Sequence, residues 1–126
     1  MPGVSRLAFG TGALLGLTGV TLGALGAHAL KNTLSPDQLG SFETAVRFQM
    51  YHAFFLLFLG IAYLHSQHRL LRTSIWLTLA GVLLFSGSIY LLVLTPLRPG
   101  FVTPLGGLVL IAAWLLCGIW ALRKHS

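Results

Sequence analysis

Acid is almost missing from this chain: Asp37 and Glu43 are its two carboxylates. That scarcity removes paired-carboxylate catalysis and leaves little for a carboxylate proton relay through a bilayer. Cysteine is as scarce, with Cys117 alone, so no internal disulfide can form, and a lone thiol in a long apolar run reads as a small buried hydrophobe that says little about redox compartment. No nucleophile elbow, phosphate-cradling glycine loop or Cys-x-x-Cys pair occurs. Charged residues of any kind make up 8% of the chain, against roughly a quarter in an ordinary soluble domain. A water-soluble globular fold is thereby excluded.

Apolar residues make up the difference: 56% of the 126 residues are hydrophobic, and the mean hydropathy is +0.85. Four stretches, 7–30, 46–64, 75–95 and 103–122, each supply about the twenty residues that cross a hydrocarbon core of about 30 Å. Within them only Arg47 carries a formal charge, and it lies at an end. The expected fold is all-α, a four-transmembrane-helix bundle forming one integral membrane domain over residues 1–126. Arg6, Arg69, Arg72, Arg123 and Lys124 fall on the side shared by the termini and the middle loop, against Lys31, Arg47 and Arg98 on the other. By the positive-inside rule this predicts a protein of the plasma (inner) membrane with both termini cytoplasmic. The net charge of +6 is scattered between spans and forms no stripe, so nucleic acid is not an expected partner.

Arg6, an apolar run and Ala27-His28-Ala29 imitate a secretory signal, but the run is longer than the 7 to 15 residues of such a segment. It also places Gly12, Gly16, Gly19, Gly23 and Gly26 at alternating spacings of four and three, a row that lets a neighbouring helix approach closely. A retained, packed helix is therefore expected. Ser35-Pro36-Asp37-Gln38 has the makings of a helix start, with Ser35 as N-cap, Pro36 at the first position and Gln38 closing a capping box. A helix from Pro36 to His65 would run about 45 Å at 1.5 Å per residue, longer than the bilayer core. Leu39, Phe42 and Val46 form an apolar stripe opposed by polar residues, which predicts an interfacial amphipathic lead-in to the second helix, with Glu43 and Arg47 able to pair across one turn. Residues 66–72 should form a short basic turn, and Pro96-Leu97-Arg98-Pro99-Gly100 a tight non-helical one. Thr103 is the expected cap of the fourth helix, with Pro104 at its first position.

In four consecutive crossings, the end of the first, the start of the second, the end of the third and the start of the fourth share one side. That parity gathers His28, Gln49, His52, Ser86 and Tyr90 into one expected polar cluster in the outward half of the bundle. On a helical wheel His28 falls roughly opposite the glycine row, which would let the first helix pack through one face and offer the other to the cluster. Gly81, Ser88 and Thr95 form a separate row at heptad spacing on the third helix. His28 and His52 could hold a metal or both axial positions of a haem, or could be satisfied interhelical hydrogen-bond partners. The second reading is favoured, because no third strong ligand shares the face and zinc wants three or four. No metal or cofactor is expected. His65 and His68 read as solvated flank residues beside Arg69 and Arg72, and His125 as part of a frayed tail. Tyr90 could bind a head group or a quinone carbonyl, whereas Ser86 and Ser88 more simply bond back to the backbone of their own helix. Trp76, Trp114 and Trp120 read as interface anchors or lipid-facing bulk.

Taken together, Gly23-Ala24-Leu25-Gly26-Ala27-His28-Ala29-Leu30-Lys31, Phe42-Glu43-Thr44 with Gln49 and His52-Ala53, Leu84-Phe85-Ser86-Gly87-Ser88-Ile89-Tyr90, and Thr103-Pro104-Leu105-Gly106-Gly107 form an ordered set of motifs. In these the chain resembles the small integral-membrane family catalogued as domain of unknown function 423, related to transmembrane protein 256. The resemblance implies a four-helix membrane protein and brings no settled activity or ligand. The leading functional expectation is a non-enzymatic membrane component or accessory subunit whose partners are the lipid bilayer and a homo-oligomer or larger membrane complex. The alternatives are a binder of a lipid, quinone or other amphipathic molecule in the polar cluster, and haem or metal binding through His28 and His52.

Overall fold

A computed structural model describes residues 1–123 as four helices: α1 Gly3–His28, α2 Pro36–His65, α3 Arg69–Leu94 and α4 Val102–Leu122. Lys124 and His125, used above as a topology signal and a tail residue, lie outside the described residues. All four helices are long and apolar enough to cross a membrane. They pack in chain order, α1 on α2, α2 on α3 and α3 on α4, with a light touch of α1 on α3. Successive helices are antiparallel: Gly12 lies against Ala53 and Gly26 against Phe42, while Ser74 meets Ala113 and Ser88 meets Thr103. The start of α1, the end of α4 and the 66–68 connection therefore share one end of the bundle, called here the terminal end. The α1–α2 and α3–α4 connections share the distal end.

Local chemistry sets the helix boundaries. The Ser35 hydroxyl accepts from Gln38 N at 3.2 Å and Gln38 Oε1 accepts from Ser35 N at 3.0 Å, so the capping box forms as the sequence predicts. His68 Nδ1 accepts from Leu70 N at 3.0 Å and caps α3, a structural role in place of the solvated flank expected for it. Gly100 turns the α3–α4 connection with φ +63°, a left-handed conformation that glycine adopts without steric cost. Thr103 is not the cap of α4. The helix begins at Val102 after Phe101, and the Thr103 hydroxyl is instead hydrogen-bonded to Ser88 across the α3–α4 interface. Pro104 still falls in the first turn, where backbone N–H groups have no intrahelical acceptor.

The lead-in to the second helix is not a separate surface element. It continues into α2 without interruption, and its apolar stripe faces inward, with Phe42 and Ala45 fully buried in a cluster that also holds Ile89 and Val93. Burial against α1 and α3 offers this stripe more contact than a flat interface would. Arg47 directs Nη2 to Thr44 Oγ1 at 3.2 Å rather than to Glu43. A second apolar cluster, including Ala8, Leu56, Leu59, Leu71, Ile75 and Ala113, fills the terminal end.

The glycine row on α1 faces α2. A side chain at Gly19 would strike Met50 Sδ at 2.5 Å, and one at Gly26 the Phe42 ring at 2.9 Å; Gly12 and Gly23 face α2 as well, while Gly16 meets nothing within 4 Å. The tightest approach lies elsewhere, at Gly106, where a Cβ would collide with backbone atoms of Leu84 and Phe85. Backbone cannot rotate aside as a flexible side chain can, so Gly106→Ala should lower the unfolding free energy in detergent by about 1–3 kcal/mol. Gly87→Ala, which meets nothing within 4 Å, should be neutral or slightly stabilising. Denaturant titration of both variants in micelles checks the pair, and equal midpoints would show that α3 and α4 are not held at this distance.

Candidate functional site

Of the polar residues singled out from the sequence, Gln49 and His52 stand at mid-length of α2, whereas Ser86 and Tyr90 lie in the distal part of α3 and His28 at the distal end of α1. For the first two the cause is the length of α2. Because the helix starts at Pro36, Gln49 and His52 fall near its centre, with one apolar cluster on either side.

Gln49 is 4% exposed and joins three helices. Its Nε2 donates to Leu15 O at 2.9 Å and Thr18 Oγ1 at 2.7 Å on α1, and its Oε1 accepts from the Tyr90 hydroxyl of α3 at 2.6 Å. The amide orientation follows from chemistry. Leu15 O can only accept, and the Thr18 hydroxyl donates to Leu14 O at 2.9 Å, so both must face the NH2 group. Tyr90, near the end of α3, reaches back along the bundle to make this bond and packs its ring on Phe42, centroids 5.5 Å apart.

His52 faces the other way. Its Nε2 lies 3.0 Å from Trp114 Nε1 on α4, and its Nδ1 lies 2.6 Å from Phe48 O one turn earlier on α2. Indole N–H only donates and a carbonyl only accepts, so Nε2 is the acceptor and Nδ1 carries the hydrogen. The imidazole is therefore neutral with both nitrogens engaged. Trp114 stacks on Phe55, centroids 3.7 Å apart and planes 8° from parallel, which holds the indole on the histidine. About half of Trp114 still faces outward, so it is lipid-facing as the sequence suggests and an interhelical tie as well. Its position near the middle of α4, level with a mid-helix histidine on α2, was the available signal.

Ser86 is buried but makes a separate bond, donating to Ala45 O of α2 at 2.8 Å. His28 does not join the cluster. The glycine row packs on α2 and turns the opposite face of α1 outward, so His28 is exposed beside Thr21, Ala24 and Leu25. Gly12 lies against Ala53, and His28 is sixteen residues farther along α1, about 24 Å at 1.5 Å per residue. His28 and His52 thus cannot share a ligand, and among the described residues no group of three or more His, Cys, Asp or Glu gathers to hold a metal ion. Sequence reading also missed two serines that tie helix to helix: Ser5 donates to Gly60 O at 3.1 Å and Ser74 to Ala113 O at 2.7 Å. Among the described residues no buried side-chain nitrogen or oxygen lacks a partner.

A bundle of four membrane-spanning helices, cross-tied at mid-depth by a neutral glutamine and a neutral histidine, is an integral membrane protein that lives in a lipid bilayer. The chain belongs to the family described as "Protein of unknown function (DUF423)", which matches residues 22–107. Among its relatives, a UPF0382 membrane protein of Staphylococcus haemolyticus is 42% identical over 106 residues, covering 83% of this chain and 86% of its own. The UPF0382 membrane protein YwdK of Bacillus subtilis is 38% identical, covering 89% and 93%. The UPF0382 inner membrane protein YgdD of Escherichia coli is 39% identical, covering 88% and 86%. No solved structure matches the chain.

Two measurements test the cross-ties. In a double-mutant cycle, Gln49→Leu and Tyr90→Phe should couple by about 0.6–1.7 kcal/mol, the range of interhelical hydrogen bonds in membrane proteins. Nitrogen-15 spectra should show His52 protonated at Nδ1 and bare at Nε2, with the Nε2 resonance moving in Trp114→Phe. A His52 protonated at Nε2 would contradict the Trp114 bond.

Proposed function

We propose that this protein is a non-enzymatic component of the plasma (inner) membrane, with both termini cytoplasmic, which acts by packing against another protein or a second copy of itself. The observation that carries the reading is the full pairing of its buried polar groups. Gln49, His52, Ser86 and the other buried polar side chains of the described residues bond to Thr18, Tyr90, Trp114 or Thr103, or to backbone carbonyls. Among the described residues no buried polar side chain stands unpaired, which supports a structural use of these groups over a catalytic one.

The packing surface is the outward face of α1. The helix rests mainly on α2, and Leu14, Leu17, Val20 and Leu25 project away from the bundle. The glycine row, which as sequence suggested a docking face, is engaged inside the bundle through Gly12, Gly19, Gly23 and Gly26, so any partner meets the opposite side. The cytoplasmic placement of the termini rests on the basic residues Arg6, Arg69, Arg72 and Arg123 at the terminal end. The name of the Escherichia coli relative, an inner membrane protein, supports the compartment.

In a Cys117→Ser background, Val20→Cys should crosslink to a second copy or to one reproducible neighbour in native membranes, while Cys in place of the buried Ala8 should not. Native mass spectrometry from lipid should show the same species. A chain that stays monomeric and uncrosslinked in both would sink the reading. For orientation, Leu97→Cys should react with an impermeant maleimide in intact cells and Gln67→Cys only after permeabilisation. The reverse pattern would invert the topology.

A further inference from the structure

Near the distal end, α1 and α2 part around a lateral groove of about 290 Å³. Gly23 and the exposed Ala27 on α1 and the half-buried Val46 on α2 form its apolar side, Gly26 and Phe42 pack on each other beneath it, and Glu43 and Arg47 stand at its rim. Both charged residues are exposed and lie one turn apart on the same face of α2. The groove spans the last turns of α1, which ends at His28, and so lies between the mid-depth ties and the end of the bundle.

Arg47 stands nearest of the two to the hydrocarbon. Its guanidinium carries five N–H donors and is always charged, yet its partner in the structure is the single Thr44 hydroxyl at 3.2 Å. An arginine on the lipid-facing flank of a bundle reaches toward the interface and seeks an anion there, and the anion present along that boundary is the lipid phosphate. Glu43 lies one turn nearer the distal end, about 6 Å along the axis at 1.5 Å per residue. From the membrane centre outward, the rim therefore presents a cation, level with the Gly23–Val46 contact, and then an anion, level with Gly26 and Phe42. A phospholipid bearing a primary amine presents the complementary order in its head group, phosphate and then ammonium.

We infer that this groove is a binding site for an aminophospholipid, in which Arg47 holds the phosphate, Glu43 the ammonium, and Gly23 and the exposed Ala27 leave room for the glycerol end of the lipid beside α1. The site is separate from the Gln49–His52 ties and independent of whether α1 carries a protein partner. A simply anionic lipid would satisfy Arg47 but be repelled by Glu43. A choline lipid keeps the positive charge but has no N–H to donate to the carboxylate.

The test is native mass spectrometry of the full chain released from vesicles holding equal parts phosphatidylethanolamine, phosphatidylglycerol and phosphatidylcholine. Retained ethanolamine lipid should exceed each of the others about tenfold, the effect of a charge-assisted hydrogen bond. Arg47→Gln should abolish retention of all three, whereas Glu43→Gln should remove the preference over the glycerol lipid and keep binding itself. Both side chains are exposed, so denaturation midpoints should be unchanged. Should Arg47→Gln shift the midpoint, Ala27→Phe, which fills the groove from its exposed edge, carries the same expected loss of lipid. Preferential retention of the glycerol lipid, or an ethanolamine preference indifferent to Arg47→Gln and Ala27→Phe, would overturn the assignment. The crosslinking from α1 reports separately, so one reading can fail while the other stands.

Discussion

Gln49 is the residue on which the arrangement of α1, α2 and α3 turns. A glutamine buried among membrane helices offers two donors and a carbonyl where water is absent, and each group left unpaired would cost several kcal/mol. Each bond, once formed, contributes less, about 0.6 kcal/mol on average between membrane helices. The asymmetry is what matters. Gln49 does little to pull three helices together, but it heavily penalises any packing that fails to bring Leu15 O, Thr18 and Tyr90 to it. The apolar surfaces of α1 and α3 could slide on α2 at small cost, and the amide selects one register among those alternatives.

The same logic is repeated with smaller groups at other heights. Ser5 to Gly60 O, Ser86 to Ala45 O and Ser74 to Ala113 O each lay a hydroxyl on a carbonyl of a neighbouring helix. Such contact needs close backbones, which is where glycine and alanine enter. Gly60 admits Ala8 and the Phe9 ring, and Gly106 lets α4 ride on the backbone of Leu84 and Phe85. His52 and Trp114 solve the opposite case, since the backbones of α2 and α4 stay apart and the side chains of His52, Phe55 and Trp114 span the gap.

What could be read before any coordinates follows from how local each signal is. Four apolar runs, the Ser35–Gln38 capping box and the glycine turn at 96–100 depend on neighbours in sequence, and the helices form accordingly. Face assignments needed one more fact, namely which side of α1 meets α2. The glycine row answered it for packing but placed His28 wrongly, because the face opposite a packed row on a peripheral helix looks outward. Gln49 and His52 lie deeper than hydropathy suggests for a related reason: it counts the second span from Val46, whereas the buried Phe42 and Ala45 show that the bundle begins earlier. The Thr103 hydroxyl was legible as a cap or as an interhelical partner, and only the proximity of Ser88 decides. Trp114 escaped notice because tryptophan is commonest at interfaces, a tendency that an available acceptor at mid-depth overrides.

The motifs that carry the family resemblance are also a physical unit. Gly26 packs on Phe42, Phe48 stacks near Phe85 at 4.6 Å, Ser86 bonds Ala45, Gly106 rides on Phe85, and Ser88 meets Thr103. These contacts run in a chain from α1 to α4 through the distal half, and the family match over residues 22–107 contains all of them. A path for solute through one copy would have to open the bundle at mid-depth, where Gln49 and His52 are each 4% exposed and tie all four helices. Opening there would break the glutamine and histidine bonds together and leave their groups without water. With the middle closed in this way, the outer surfaces are what other molecules meet, among them the apolar face of α1 and the charged rim of the groove beside it.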